Sequence, residues 1–276
     1  MSSPLPVALA PGRAGLAVRA GVTAYVALLV VIPLAALAHR GLADGLSAFW
    51  TAATSPEARD AFALTLWTAA VVAFLNAFFG TAAAWVLVRY RFPGRRLISA
   101  VVDLPFAIPT LVTGLMLVLL FGPREVLGQW FGARGISILY APPAIVLALL
   151  FITVPFVVRA VEPVLLELDP AEEEAAHTLG ASDLSIFRRV ILPAIAPAIV
   201  LGTLQCFARS IAEFGSIVVV SGNIPSRTLT APVLIFGEVE GGHPGSAAAV
   251  SLMLLALALA LSLAVRGLRS LRSTRR

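Results

Sequence analysis

The chain has 276 residues, 59% of them hydrophobic and only 13% charged, with a formal net charge of +5. A mean hydropathy of +0.95 excludes an ordinary soluble domain and indicates a polytopic helical membrane protein. Every residue of the Lys/Arg class is arginine, so a phosphate-binding loop of the G-x-x-x-x-G-K-[ST] kind is absent and ATP hydrolysis by that route is excluded.

A span needs roughly 20 apolar residues to cross about 30 Å of hydrocarbon. Stretches near 17–38, 61–88, 97–121, 140–159, 194–220 and 246–265 meet that need. The expected fold is all-α, with six transmembrane helices. Its parts are a cytoplasmic N-terminal segment 1–16, a first helix and outside loop 17–60, a transmembrane domain 61–265 and a basic tail 266–276. At the N-terminus, Arg13, Arg19, the apolar run from Val22 and the Ala36–Ala38 stretch imitate a cleavable signal peptide. The run is long for one and contains Pro33, so a retained first span is expected. In the third span Pro105 and Pro109 predict a kink that frees backbone carbonyls.

Arginine placement orients the spans. Arg13, Arg19, Arg89, Arg91, Arg95, Arg96, Arg159, Arg188, Arg189 and the tail from Arg266 fall on one side. Arg40, Arg59, Arg124, Arg134 and Arg227 fall on the other, and Arg209 lies within a span. The positive-inside rule puts the richer side, with both termini, in the cytoplasm. The net charge therefore reports topology rather than nucleic-acid binding. Cys206 is the single cysteine and falls in the fifth span, where a buried, inert thiol is expected.

The loop between the fourth and fifth spans reads as a helix-turn-helix. Asp169 can cap, Pro170 suits the first helical position, and Glu172, Glu173 and Glu174 favour the positive end of the dipole. The rod runs through Ala175, Ala176 and Leu179, and Gly180 stops it in a left-handed cap. A second segment starts at Ser182–Asp183 and places Leu184, Phe187, Val190 and Ile191 on one face, with Leu192 and Pro193 at the start of the fifth span. The glutamates are available to a docked partner or to Arg188 and Arg189. Amphipathic helices that lie on a membrane usually carry basic polar faces, so the acidic lead favours a docked partner over that alternative.

Within the fifth span Arg209 and Glu213 stand four residues apart, on one helix face. Intramembrane charges usually face a bundle interior or a water-filled path. Either Arg209 touches a translocating anion, or the pair is a structural lock at a gate or subunit seam; the lock is the favoured reading. Asp103 reads as an interfacial residue. Asn223 and Arg227 are candidates for contact with an external partner, although Gly222–Asn223 is also a common turn pair. His39, His177 and His243 have no ligand spacing, so no metal site is expected.

Several stretches resemble a known family. Glu174-Ala-Ala, three residues, Gly180, nine residues, then Ile191-Leu192-Pro193 resembles the loop of importer permeases driven by ATP-binding-cassette subunits. The stretches 101–109, 156–159, 167–169, 187–193, 207–215, 221–225 and 231–236 are similar to sulfate/thiosulfate permeases of the T type, in the sulfate/molybdate branch. That branch usually has glycine where this chain has Ala212. The resemblance implies a coupling helix whose ATPase-facing residues are Glu174, Ala175, Ala176, Gly180, Leu192 and Pro193. It also implies a translocation path or gate at Arg209, Glu213 and Gly215. The partners implied are ATP-binding-cassette subunits holding ATP and Mg, a second permease subunit that is a different chain or a copy of this one, and an extracytoplasmic sulfate-binding protein. The location implied is the bacterial inner membrane. A molybdate/tungstate importer is the alternative within the family. A membrane-embedded enzyme and an ATP-independent channel or secondary transporter are the rivals outside it; the chain has no zinc or nucleophile-elbow motif for the first and no convincing internal repeat for the second.

Overall fold

The computed structural model describes residues 13–273. Residues 1–12 of the expected N-terminal segment and 274–276 of the tail lie outside it. Among the described residues every regular element is a helix.

The chain opens with α1 (Arg13–Val26) and α2 (Ile32–Leu42), joined through a π turn at Ala27–Val31 into one apolar helix, Gly15–Leu42. A short α3 (Gly45–Ala53) leads to α4 (Pro56–Arg89). Ser55 caps α4, its hydroxyl accepting from the Ala58 N–H at 3.2 Å. Then come α5 (Arg95–Ala107), α6 (Thr110–Phe121), α7 (Val126–Gly132) and α8 (Pro142–Glu167). The loop helix α9 (Pro170–Thr178) is followed by α10 (Asp183–Ile186), a second π turn at Phe187–Ile191, and α11 (Leu192–Ile211). The chain ends with α12 (Gly215–Val220), α13 (Ala231–Glu240) and α14 (Pro244–Ser273).

Among the described residues four helices are long and apolar enough to cross a membrane: Gly15–Leu42, Pro56–Arg89, Pro142–Glu167 and Asp183–Ile211. The expected third span is not one rod. Pro109 removes an N–H and forces Ile108 into extended backbone, so α5 and α6 meet at 113°. The expected fifth span, 194–220, is also redrawn. Its helix starts eleven residues earlier, at Asp183, and stops at Ile211, with 212–214 separating it from α12. The expected sixth span lies in α14, whose apolar part Pro244–Ala260 is shorter than the others.

Both π turns sit just ahead of a proline, Pro33 or Pro193. A proline inside a helix cannot donate to the carbonyl four residues back, and the wider turn absorbs the mismatch. Pro193 therefore stands inside a continuous helix rather than at the start of one.

Helices α4, α8 and α11 form the core. Lipid tails are as apolar as leucine, so such helices associate by close approach at small residues and by hydrogen bonds between them. Val157 of α8 is held between two glycines. A Cβ on Gly80 would come within 2.9 Å of the Val157 Cβ, and one on Gly202 within 2.7 Å of its Cα. One turn away, Asn76 Nδ2 donates to Thr153 Oγ1 at 2.9 Å, and the Cys206 thiol donates to the same oxygen at 3.1 Å. This buried pin joins all three helices. The first helix packs against α14 at its C-terminal end, where Gly41 meets Ala248 and Leu252, and among the described residues the rest of its apolar length is largely exposed.

Candidate functional site

The loop helix α9 is closed at both ends by its own sequence. The Asp169 carboxylate accepts from the Ala171 N–H at 2.9 Å, and Pro170 occupies the first turn. At the other end Gly180 adopts φ +81°. The Ala181 N–H then reaches the Ala176 carbonyl at 3.1 Å, and the Gly180 N–H reaches that of His177 at 2.9 Å. This is a Schellman cap, and it turns the chain sharply toward α10.

The cap leaves an apolar knuckle in the open. Leu179 is 87% exposed and Leu184, just past the turn, is 65% exposed. Glu174, Ala175 and Gly180 are also exposed, while Ala176 is half-buried against the core. Of the four residues expected on one face of the second segment, Ile191 is buried and Phe187 and Val190 pack against the core, while Leu184 is exposed. Ile186, not among the four, is also buried, because residues five apart align in a π turn and it joins Ile191.

Glu173 does not pair with Arg188 or Arg189. It makes an ion pair with Arg89, the last residue of α4. The Arg89 guanidinium lies 5.1 Å from the centroid of the Trp85 ring, and that ring meets Phe187 edge-on at 5.5 Å. The loop helix is thereby fastened to the end of α4 and to the root of α11. Leu192 and Pro193 lie further along that root, both exposed.

A second fastening was not legible in the sequence. Arg159 of α8 donates to Asp103 Oδ1 at 2.6 Å through Nε and to Oδ2 at 2.7 Å through Nη2. Nη2 also reaches the Ser99 carbonyl at 2.8 Å and hydroxyl at 2.9 Å, and Nη1 pairs with Glu162. Asp103 is thus more than an interfacial residue: it holds α5 against α8. A lone aspartate and arginine 56 positions apart carry no local spacing signal that would pair them.

Deeper in the bundle, Arg209 Nη2 lies 2.7 Å from Glu213 Oε2, as the four-residue spacing predicts. The helix ends at Ile211, however, so Glu213 belongs to the break before α12. There it is 1% exposed, and its Oε1 accepts from the Ser216 N–H and hydroxyl, both at 2.9 Å. A buried carboxylate costs several kcal/mol unless its oxygens are engaged, and here both are. Ala212 is exposed at φ −90°, a conformation open to any residue, so glycine is not required there. Gly215 abuts α6: a Cβ on it would collide with Thr110 Oγ1 and come within 3.2 Å of the Leu111 nitrogen. The break before α6 and the break before α12 therefore meet.

At the far end Asn223 adopts φ +54°. Its N–H donates to Ser221 Oγ at 3.2 Å, and its carboxamide accepts from that hydroxyl at 2.8 Å. Gly222 at φ +72° faces the Tyr140 ring, and the Tyr140 N–H donates to the Val220 carbonyl at 3.0 Å. Arg227 is exposed on the same loop. Among the described residues no group of three His, Cys, Asp or Glu side chains is arranged to hold a metal ion.

Residues 76–271 match the model of the binding-protein-dependent transport system inner membrane component family. The chain is 44% identical over 216 residues to the probable sulfate transport system permease protein cysT of Nephroselmis olivacea, covering 78% of this chain and 76% of that one. It is 41% identical over 229 residues to the sulfate transport system permease protein CysT of Salmonella typhimurium, covering 83% of each. Among solved structures, a bacterial alginate transporter of the ATP-binding-cassette class, in complex with an alginate pentasaccharide-bound periplasmic protein, superposes with a TM-score of 0.76. That match covers 91% of both chains at 18% identity, a likeness of fold. The methionine transporter MetNI, in an inward-facing form, gives a TM-score of 0.57 at 21% identity, over 81% of this chain and all of that one.

Proposed function

The chain belongs to the family of binding-protein-dependent transport system inner membrane components, and on that premise we propose that it is the permease subunit of an ATP-driven sulfate importer. The observation that carries the coupling half of this reading is α9 itself. It is a rod capped at both ends, presenting Leu179 beside the exposed Leu184 of α10 and fastened through Glu173 and Arg89 to a membrane helix. A partner that moves the rod moves α4 and α11 with it.

In this reading a separate pair of ATP-binding-cassette subunits holds ATP and Mg and docks on Ala175, Ala176, Leu179, Gly180 and Leu184, next to Glu174. Leu192 and Pro193 carry the motion into α11. A second permease, a different chain or a copy of this one, completes the path. Arg209, Glu213 and Gly215 form the part of the gate that this chain supplies, where two broken helices meet. With both carboxylate oxygens engaged, Glu213 acts as a lock on Arg209 rather than as an anion-repelling charge. The Asn223–Arg227 loop faces an extracytoplasmic sulfate-binding protein, and both termini are cytoplasmic in the bacterial inner membrane.

The test is radiolabelled sulfate uptake in cells lacking this permease, with the gene restored and the ATPase present or deleted. Uptake that needs both, and is blocked by excess thiosulfate but not by molybdate, is the expected result. Uptake that persists without the ATPase would sink the importer reading. Loss of molybdate uptake with sulfate uptake unaffected would move the substrate to the other branch.

A further inference from the structure

The turn between α4 and α5 carries Arg91, Arg95 and Arg96. Among the described residues none of the three makes an ion pair, whereas Arg89, Arg159 and Arg209 each hold a carboxylate. Two adjoining clefts share Arg95 and Arg96. One of about 370 Å³ is lined also by Leu87, Ser99 and Glu162, and one of about 350 Å³ by Arg91, Phe92 and Gly94. Glu162, the only acid in the lining, is already taken by Arg159.

The local structure makes the positive charge worse. Gly94 at φ +86° starts α5 with no capping side chain and no acidic residue in the first turn, and Arg95 and Arg96 are its first two residues. Cations at a helix N-terminus oppose the dipole, so the arrangement is short of an anion. Beside it stand the exposed Leu97, Ile98 and Val101, an apolar surface suited to acyl chains, and the exposed Tyr90, of a residue type enriched at membrane–water interfaces. The cleft lies at the same end as the coupling helix, because Arg89, next along the chain, pairs with Glu173.

We propose that this cleft binds the phosphate headgroup of an anionic phospholipid from the cytoplasmic leaflet, with Arg91, Arg95 and Arg96 around the phosphate and the lipid tails along α5. Basic pockets between membrane helices on the cytoplasmic side suit such headgroups. The site is separate from the coupling surface and from the path, and binding is read without transport. Its failure therefore leaves the importer reading untouched.

The test is native mass spectrometry of the purified importer assembly titrated with phosphatidylglycerol or phosphatidylcholine, for the wild type, R91Q/R95Q/R96Q and R91K/R95K/R96K. The wild type is expected to prefer phosphatidylglycerol by about tenfold or more, the Lys variant to keep most of that preference, and the Gln variant to lose it. A photoactivatable phosphatidylglycerol should crosslink within residues 90–99 of the wild type, a readout that does not require the Gln variant to fold. No preference in the wild type, or the same preference in a folded Gln variant, overturns the proposal. Displacement by millimolar inorganic phosphate without any lipid crosslink assigns the cleft to a free anion instead. Loss of ATPase co-purification from the Gln variant with lipid preference intact assigns it to the partner subunit, which also overturns the proposal.

Discussion

Arg159 holds both carboxylate oxygens of Asp103, through Nε at 2.6 Å and Nη2 at 2.7 Å, and so bolts α5 to α8 below the sharp bend that separates α5 from α6. The fork geometry suits a bidentate pair that lysine could not reproduce. Because Pro109 breaks the helix, α5 has no rigid continuation into α6, and the bolt sets its angle.

Asp103→Asn and Arg159→Gln should each slow sulfate uptake several-fold, and the double variant should do little further harm. The Asp103 side chain is about half exposed, so solvent screening limits the coupling to about 1 kcal/mol in a double-mutant cycle on thermal stability. Additive losses in uptake would show that the two residues act separately.

Gly202→Val should destabilise the bundle. Its Cβ would lie 2.7 Å from the Val157 Cα and 2.9 Å from the Phe156 carbonyl oxygen, backbone atoms that cannot swing aside. Overpacking of this kind costs roughly 1–3 kcal/mol or more. Gly237→Ala, in a helix with open space around the position, should be neutral or gain about 0.5–1 kcal/mol. Fluorescence size-exclusion profiles after heating compare the two; a Gly202→Val protein as heat-resistant as wild type would refute the close packing.

Leu179→Asp should leave the permease folded, because the side chain is 87% exposed, yet abolish co-purification of the ATPase and with it uptake. Glu173→Gln should act differently, weakening the tie to Arg89 while leaving the docking face intact. Its expected phenotype is ATP hydrolysis that continues with uptake reduced several-fold. Normal uptake in Leu179→Asp would remove the knuckle from the docking surface.

Glu213→Gln keeps an oxygen for Ser216 but leaves Arg209 without its carboxylate. Uptake is expected to fall about tenfold or more, since the half-buried Arg209 charge loses the partner that fixes it beside the break. Arg209→Gln should do comparable damage, and the double variant should be no worse than either single. A double variant far worse than both would mean that Arg209 has a role beyond the lock.

Composition and the Glu174–Pro193 spacing together determined the class, a helical membrane protein of the importer-permease family, and a loop helix with Asp169 and Gly180 at its ends. Those features are local, because capping and hydropathy each act within one or two turns of helix. The Arg209–Glu213 pair was legible for the same reason, a separation of four residues. Only the tertiary structure decided the rest. It broke the third and fifth stretches at Pro109 and at 212–214, buried Ile186 and exposed Leu184 ahead of a π turn, and chose Arg89 rather than Arg188 for Glu173. It also joined Asp103 to Arg159 and Asn76 to Thr153 and Cys206 across helices far apart in sequence. Such pairings depend on how helices pack and where their backbones bend, and no periodicity along a single helix records which neighbour its charged and small residues will meet.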